Sequence, residues 1–197
     1  MKILHIDSSI LGDQSVSRKL SAAAVARLRS LAPSAEVHYR DLAADPIPHF
    51  SIGPGTESGG PNDAEILKQV LDEVIEADVI VIGAPMYNFS VPSQLKSWLD
   101  ALVVPGRTFN YSEAGVEGLL GSKRVVIASS RGGVYPADSA GAALDHQESL
   151  LRGLLGFLGI TQIEIVRAEG VRMGEGTATA AIASALEHAG RLELEAA

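Results

Sequence analysis

The runs Val79-Ile80-Val81-Ile82 and Val125-Val126-Ile127-Ala128 are almost purely apolar and rich in β-branched side chains. A strand with no polar alternation has no face left for water. It must be covered on both sides, which is the mark of a parallel sheet with helices above and below. Three shorter segments fit the same sheet: Ile3, Leu4 and Ile6 before Asp7; Val37 and Tyr39 alternating with His38 and Arg40; and Ile163, Ile165 and Val166. Between them lie apolar stripes at helical spacing. Leu20, Ala24, Leu28 and Leu31 form the first, and Leu67, Val70, Leu71 and Val74 the second. Leu95, Trp98, Leu99 and Leu102 follow, then Leu151, Leu154, Leu155 and Leu158, and finally Ile182, Leu186 and Ala189. Each stripe is a face to lay on a sheet. Strand–helix alternation over the whole chain predicts βαβ units with right-handed crossovers. We expect five parallel strands and five helices in one α/β domain spanning residues 1–197, a length suited to a single core.

Composition narrows the function classes. Apolar residues make up 46% and charged residues 20% of the chain, as in ordinary soluble proteins. The net charge of −8 repels phosphate backbones, so neither nucleic acid nor an anionic membrane is an expected partner. No apolar stretch approaches the roughly 18 to 20 residues of a membrane span. The amino-terminal run is too short for a signal peptide and is interrupted at Asp7, so a cytoplasmic protein is expected. With no cysteine, disulfides, thiolate catalysis and cysteine-bound metals are excluded. His5, Asp7 and His38 are potential metal ligands by type. They fall on different strands without a recognised ligand spacing, so no metal is expected. Residues 46–63, rich in Gly, Pro and Ser, read as a surface excursion: a tolerated insertion, a flap, or a subunit contact.

In an open parallel sheet, ligands bind beyond the carboxyl ends of the strands. Three such loops stand out. After the first strand come Ser9, Ser15, Val16 and Ser17, with a helix beginning near Ser15 to Ser17. Hydroxyls and free N–H groups at a helix start hold phosphate, although Ser15 or Ser17 also suits a plain capping role. There is no Gly-x-Gly-x-x-Gly and no phosphate-loop lysine, which favours a monophosphate over a dinucleotide or triphosphate. After the third strand, Pro85-Met86-Tyr87-Asn88-Phe89 concentrates aromatic and apolar faces suited to a planar ring, or to core packing. After the fourth, Ser130-Arg131-Gly132-Gly133 allows close backbone approach and free N–H donors, or an ordinary turn. Together these loops occupy the places where one planar, phosphorylated cofactor touches this kind of sheet.

At these residues the chain resembles the FMN-dependent NADH-azoreductases, flavodoxin-like proteins related to the larger quinone reductases. Gln94-Leu95-Lys96, Thr108-Phe109-Asn110-Tyr111, Glu117-Gly118-Leu119 and Gly156-Phe157-Leu158-Gly159-Ile160 extend the likeness, which covers nearly the whole chain. The resemblance implies a flavodoxin-like doubly wound sheet of five parallel strands with helices on both faces. It implies one non-covalent FMN per subunit, with Ser9, Ser15, Val16 and Ser17 at the phosphate. Pro85, Met86, Tyr87, Asn88, Phe89, Ser130, Arg131, Gly132 and Gly133 would hold the ring system. NADH or NADPH would reduce the flavin, and a quinone or azo compound would take two electrons from it. No side chain then needs a catalytic role. The resemblance also implies a homodimer whose partner supplies a substrate wall, for which Phe109, Tyr111 and Phe157 are the candidates. Some members have histidine where this chain has Tyr135, so proton donation near the flavin would differ here. A flavodoxin-type electron carrier, and a hydrolase of the kind once labelled acyl-carrier-protein phosphodiesterase, are the alternatives.

Overall fold

The computed structural model describes residues 1–49, 63–113, 115–135 and 140–194. Of the expected excursion at residues 46–63, residues 50–62 lie outside these described residues. Five strands make one sheet: β1 (Lys2–Asp7), β2 (Glu36–Asp41), β3 (Val79–Pro85), β6 (Arg124–Ser130) and β7 (Gln162–Ala168). Their order is β2-β1-β3-β6-β7 and every pairing is parallel, as expected. The chain moves outward from β1 to β2, then returns to the other side with β3. The switch point therefore lies between β1 and β3.

The helices are α1 (Val16–Leu31), α2 (Asp63–Glu76), α3 (Ser93–Ala101), α4 (Gln147–Phe157) and α5 (Glu175–Gly190). Alternate strand residues feed two separate cores. Leu4, Ile6, Ile80, Ile82, Val125 and Ile127 meet Val70, Val74, Leu95, Trp98, Leu99, Leu151 and Leu155 from α2, α3 and α4. Ile3, Val79, Val81, Val126 and Val166 meet Leu20, Ala24, Leu28, Ala185 and Ala189 from α1 and α5. This two-sided burial explains why β3 and β6 carry no polar alternation. Two stripe residues fall outside the cores. Leu31 is exposed at the end of α1, and Leu186 is exposed on α5, whose buried face is made by the small Ala185 and Ala189.

One element has no counterpart among the expected ones. β4 (Phe109–Ser112) and β5 (Gly115–Gly118) form an antiparallel hairpin between α3 and β6. It is seated by backbone against backbone. A Cβ on Gly118 would lie 2.1 Å from the Gly159 nitrogen, at the end of α4.

Candidate functional site

The loops at the carboxyl ends of β1, β3 and β6 converge on one cleft of about 810 Å³. A smaller cavity of about 290 Å³ near Lys2, Glu36 and Glu73 touches none of these loops. Ser9, Ser15, Val16, Pro85, Met86, Tyr87, Asn88, Phe89, Ser130, Gly132 and Tyr135 all line the larger cleft.

At one end stands the amino terminus of α1. Ser15 caps it, its hydroxyl accepting from the Arg18 N–H at 3.3 Å and lying 3.0 Å from the Ser17 hydroxyl. The N–H groups of Val16 and Ser17 have no acceptor among the described residues, as the first turn of a helix requires. Ser17 is buried just behind Ser15 and does not reach the cleft wall itself. The Ser9 loop is held from below. Arg18 donates to the Ser9 carbonyl at 2.7 and 3.2 Å and grips Asp41 with two bonds of 2.7 Å. That bond to Asp41 raises the Arg18 pKa, and the guanidinium in turn holds the Asp41 carboxyl below the usual carboxylate range. Beneath them, buried Asp7 accepts from Ser21 at 2.8 Å and from Tyr39 at 3.2 Å. Burial, together with the nearby carboxylates, pushes the Tyr39 phenol up to about 12. His5 Nε2 lies 3.4 Å from Asp7 and His38 Nε2 3.1 Å from Glu73. No metal-binding group of three or more ligands occurs among the described residues.

The middle of the cleft is the segment after β3. Tyr87 and Ser90 exchange backbone hydrogen bonds of 2.9 and 3.1 Å around Asn88 and Phe89. Both central residues have positive φ, 48° and 70°. That is the geometry of a tight hairpin turn, which Asn tolerates. For Phe it costs about 1–2 kcal/mol. The turn is kept by ties on every side. Met86 N–H donates to the Ser130 carbonyl at 2.8 Å, and His146 N–H to the Phe89 carbonyl at 3.0 Å. The Tyr87 hydroxyl lies 3.1 Å from the Ser9 hydroxyl, joining the first loop to the second. Phe89, exposed at the rim, meets Tyr135 edge to face with ring centres 6.4 Å apart.

At the far end, the N–H groups of Gly132 and Gly133 donate to no described protein group, while their carbonyls accept from Arg172 and Gly170. Gly133 itself is set back from the wall. A Cβ there would press on the Tyr135 hydroxyl at 3.2 Å. Arg131 turns away from the cleft. Its guanidinium is 2% exposed and lies 2.8 Å from Asp145, 2.8 Å from Glu148 and 3.0 Å from Glu169, with Gln147 at 3.0 Å. It braces the loop from behind.

Phe109, Tyr111 and Phe157 lie outside this cleft. They form their own aromatic cluster where the hairpin meets α4, with ring centres 5.1 and 4.9 Å apart. Phe109 is buried, whereas Tyr111 is 75% exposed and Phe157 partly so. Sequence reasoning missed a fourth wall. Val171, Arg172, Gly174, Glu175 and Ala178, from the loop after β7 and the start of α5, line the cleft beside Leu11 and Gln14. The signal that could have found it is the same carboxyl-end rule applied to this loop, which carries Gly170 and Gly174, both with positive φ.

The donors suit a phosphorylated planar ligand. Unpaired N–H groups stand at both ends, and apolar and aromatic residues lie between them. Known proteins resemble the chain over nearly its whole length. A family model described as having the flavodoxin-like fold matches residues 1–192. An FMN-dependent NADH:quinone oxidoreductase of Methylocella silvestris is 50% identical, over 98% of this chain and 99% of its own. One from a Bradyrhizobium strain is 52% identical over the same shares. The crystal structure of an FMN-dependent NADH-azoreductase from Bacillus anthracis, in complex with FMN, superposes with a TM-score of 0.82. It is 26% identical and covers 96% of this chain and 98% of its own.

Proposed function

The chain belongs to the flavodoxin-like family whose model spans it, and from that premise we propose that its cleft holds FMN between the α1 amino terminus and the Gly132-Gly133 loop. It is an FMN-dependent NADH:quinone oxidoreductase with azo-reducing capacity. When bound, FMN supplies the redox chemistry, taking a hydride from NADH and giving two electrons to a quinone or azo compound.

This chain's residues bind and orient. Val16 offers its N–H, and Ser9 and Ser15 their hydroxyls, to the phosphate at the positive end of α1, with the unpaired N–H of Ser17 one step behind. The strained turn at Asn88 and Phe89 holds the Met86–Phe89 side rigid against the ring system. Gly132 offers its N–H to the pyrimidine edge, where negative charge grows on reduction, with Gly133 behind it giving the loop its close turn. Tyr135 stands at the rim with Phe89, where its hydroxyl can donate a hydrogen bond. The observation that carries this reading is the convergence of three sequence-distant loops on one cleft with unpaired N–H donors at both ends.

The enzyme works as one domain per subunit and as a homodimer in the cytoplasm. The exposed Tyr111, with Val116, Leu119 and Phe157, gives the hairpin an apolar surface suited to a second copy, whose aromatic residues would wall the partner's cleft. Tyr111→Asp is expected to leave the monomer folded and weaken the dimer in sedimentation analysis. Unchanged association would remove the hairpin from the interface. An electron carrier or a hydrolase is distinguished from this reading by one preparation. The purified protein should be yellow or take up added FMN, and should turn over NADH with benzoquinone. A colourless protein that binds no added FMN overturns the proposal.

A further inference from the structure

Among the described residues, Arg172 is the cleft's unused cation, and the other charged side chain in the lining is Glu175. Elsewhere in the described structure, the cleft-end arginines are consumed: Arg18 by Asp41, Arg131 by Asp145, Glu148 and Glu169, and Arg167 by Glu148. Arg172 makes no side-chain hydrogen bond or ion pair with any described residue. Its side chain is exposed, but its backbone is pinned. The Arg172 N–H donates to the Gly132 carbonyl at 3.1 Å. Its stem lies over Gly132, where an added Cβ would meet Arg172 Cγ at 3.5 Å. The guanidinium therefore hangs from a pinned stem at the wall beside the Gly132-Gly133 donors. In a chain of net charge −8, an unpaired cation in a cleft is a local attractor for anions.

We propose that Arg172 is a specificity-determining residue that receives an anionic group of the second ligand entering the cleft. The chemistry is that of a guanidinium bonding phosphate, sulfonate or carboxylate oxygens. It is carried either by the pyrophosphate of the nicotinamide dinucleotide or by an acidic substituent on the acceptor. The proposal rests on the flavin reading above.

The test uses oxidised, FMN-loaded protein, with binding followed by flavin fluorescence. Dissociation constants of NAD⁺, 1,2-naphthoquinone-4-sulfonate and uncharged 1,2-naphthoquinone are compared between the wild type and Arg172→Met. The variant is expected to lose roughly fivefold in affinity for at least one anionic probe and less than about twofold for the uncharged quinone. Arg172→Lys should recover part of the loss. A loss confined to NAD⁺ assigns the anion to the dinucleotide, and one confined to the sulfonate assigns it to the acceptor. Unchanged binding of both anions, or an equal loss for the uncharged quinone, overturns the proposal. So does a comparable loss of FMN affinity on titrating the apoprotein, because the guanidinium would then serve the flavin itself. A wild-type protein that takes up no FMN instead overturns the flavin reading, and this proposal with it.

Discussion

Arg131→Met tests the brace behind the Gly132-Gly133 loop. Methionine keeps much of the stem's packing and removes the charge. Breaking a buried ion pair by deleting one partner costs about 3–5 kcal/mol, because the other charge is stranded. The surroundings place this site at the lower end. Glu148, 8% exposed, keeps Arg167 as a partner, while Asp145 and Glu169 are 20% and 24% exposed and can recover water. Gln147 loses one bond but still donates to the Ala84 carbonyl at 2.7 Å. We therefore expect a loss of about 3 kcal/mol. With a urea slope of about 2 kcal/mol/M, the unfolding midpoint of the apoprotein moves down by about 1.5 M. A functional signature accompanies it. FMN stabilises the fold by mass action, so if the brace sets the glycine donors, the gap between apo and FMN-loaded midpoints narrows in the variant. Arg191→Met, which cuts an exposed pair with Glu187, is the control and should change little. A loss under about 1 kcal/mol, or one no larger than the control's, would refute the reasoning.

Gly83→Ala should destabilise by roughly 2–3 kcal/mol in urea unfolding, since its Cβ falls 2.1 Å from Oδ1 of buried Asp7 and forces that carboxylate off its partners. Ser15→Ala should cost the apoprotein about 1 kcal/mol of cap and also weaken FMN binding in a fluorescence titration; a stability loss with unchanged FMN affinity would leave Ser15 as a cap alone. The Asp41 carboxyl is depressed by Arg18, so its stabilising contribution is complete above the unfolded value of about 4 and is lost as pH falls through the folded value. Urea midpoints measured from pH 6 downward should therefore fall less steeply on the acid side in Asp41→Asn than in the wild type.

The sheet is legible in the sequence because its central strands have only one way to hide their side chains. Val79 to Ile82 and Val125 to Ala128 are apolar at every position, and the two cores take alternate residues from each. The hairpin at Phe109–Ser112 and Gly115–Gly118 is not legible in this way. Its strands are short and mostly exposed, and what seats them is the backbone approach of Gly118 to Gly159, a contact across distant parts of the chain. The exposed Leu186 has a similar cause. Helical spacing marks a face, but the closeness of α1 and α5 selects alanines for it.

The site divides along the same line between backbone and side chain. Ser9, Ser15, Met86 to Phe89 and Gly132 come together because the carboxyl-end rule concerns where the backbone of a parallel sheet must go, and that path follows from the strands. Side-chain direction does not follow from it. In Ser130-Arg131-Gly132-Gly133 the arginine looks like a ligand-binding cation, yet its acidic partners at Asp145, Glu148 and Glu169 turn it inward. Those partners lie on α4, before it and after β7, so their meeting with Arg131 is a property of the packed sheet. Arg172 belongs to none of the motifs and has no acid to claim it among the described residues, and it is this residue that lines the cleft. In an acidic protein most cations are claimed by nearby carboxylates. The informative cation is therefore one that is both unpaired among the described residues and in the cleft lining, and finding it requires the packed fold.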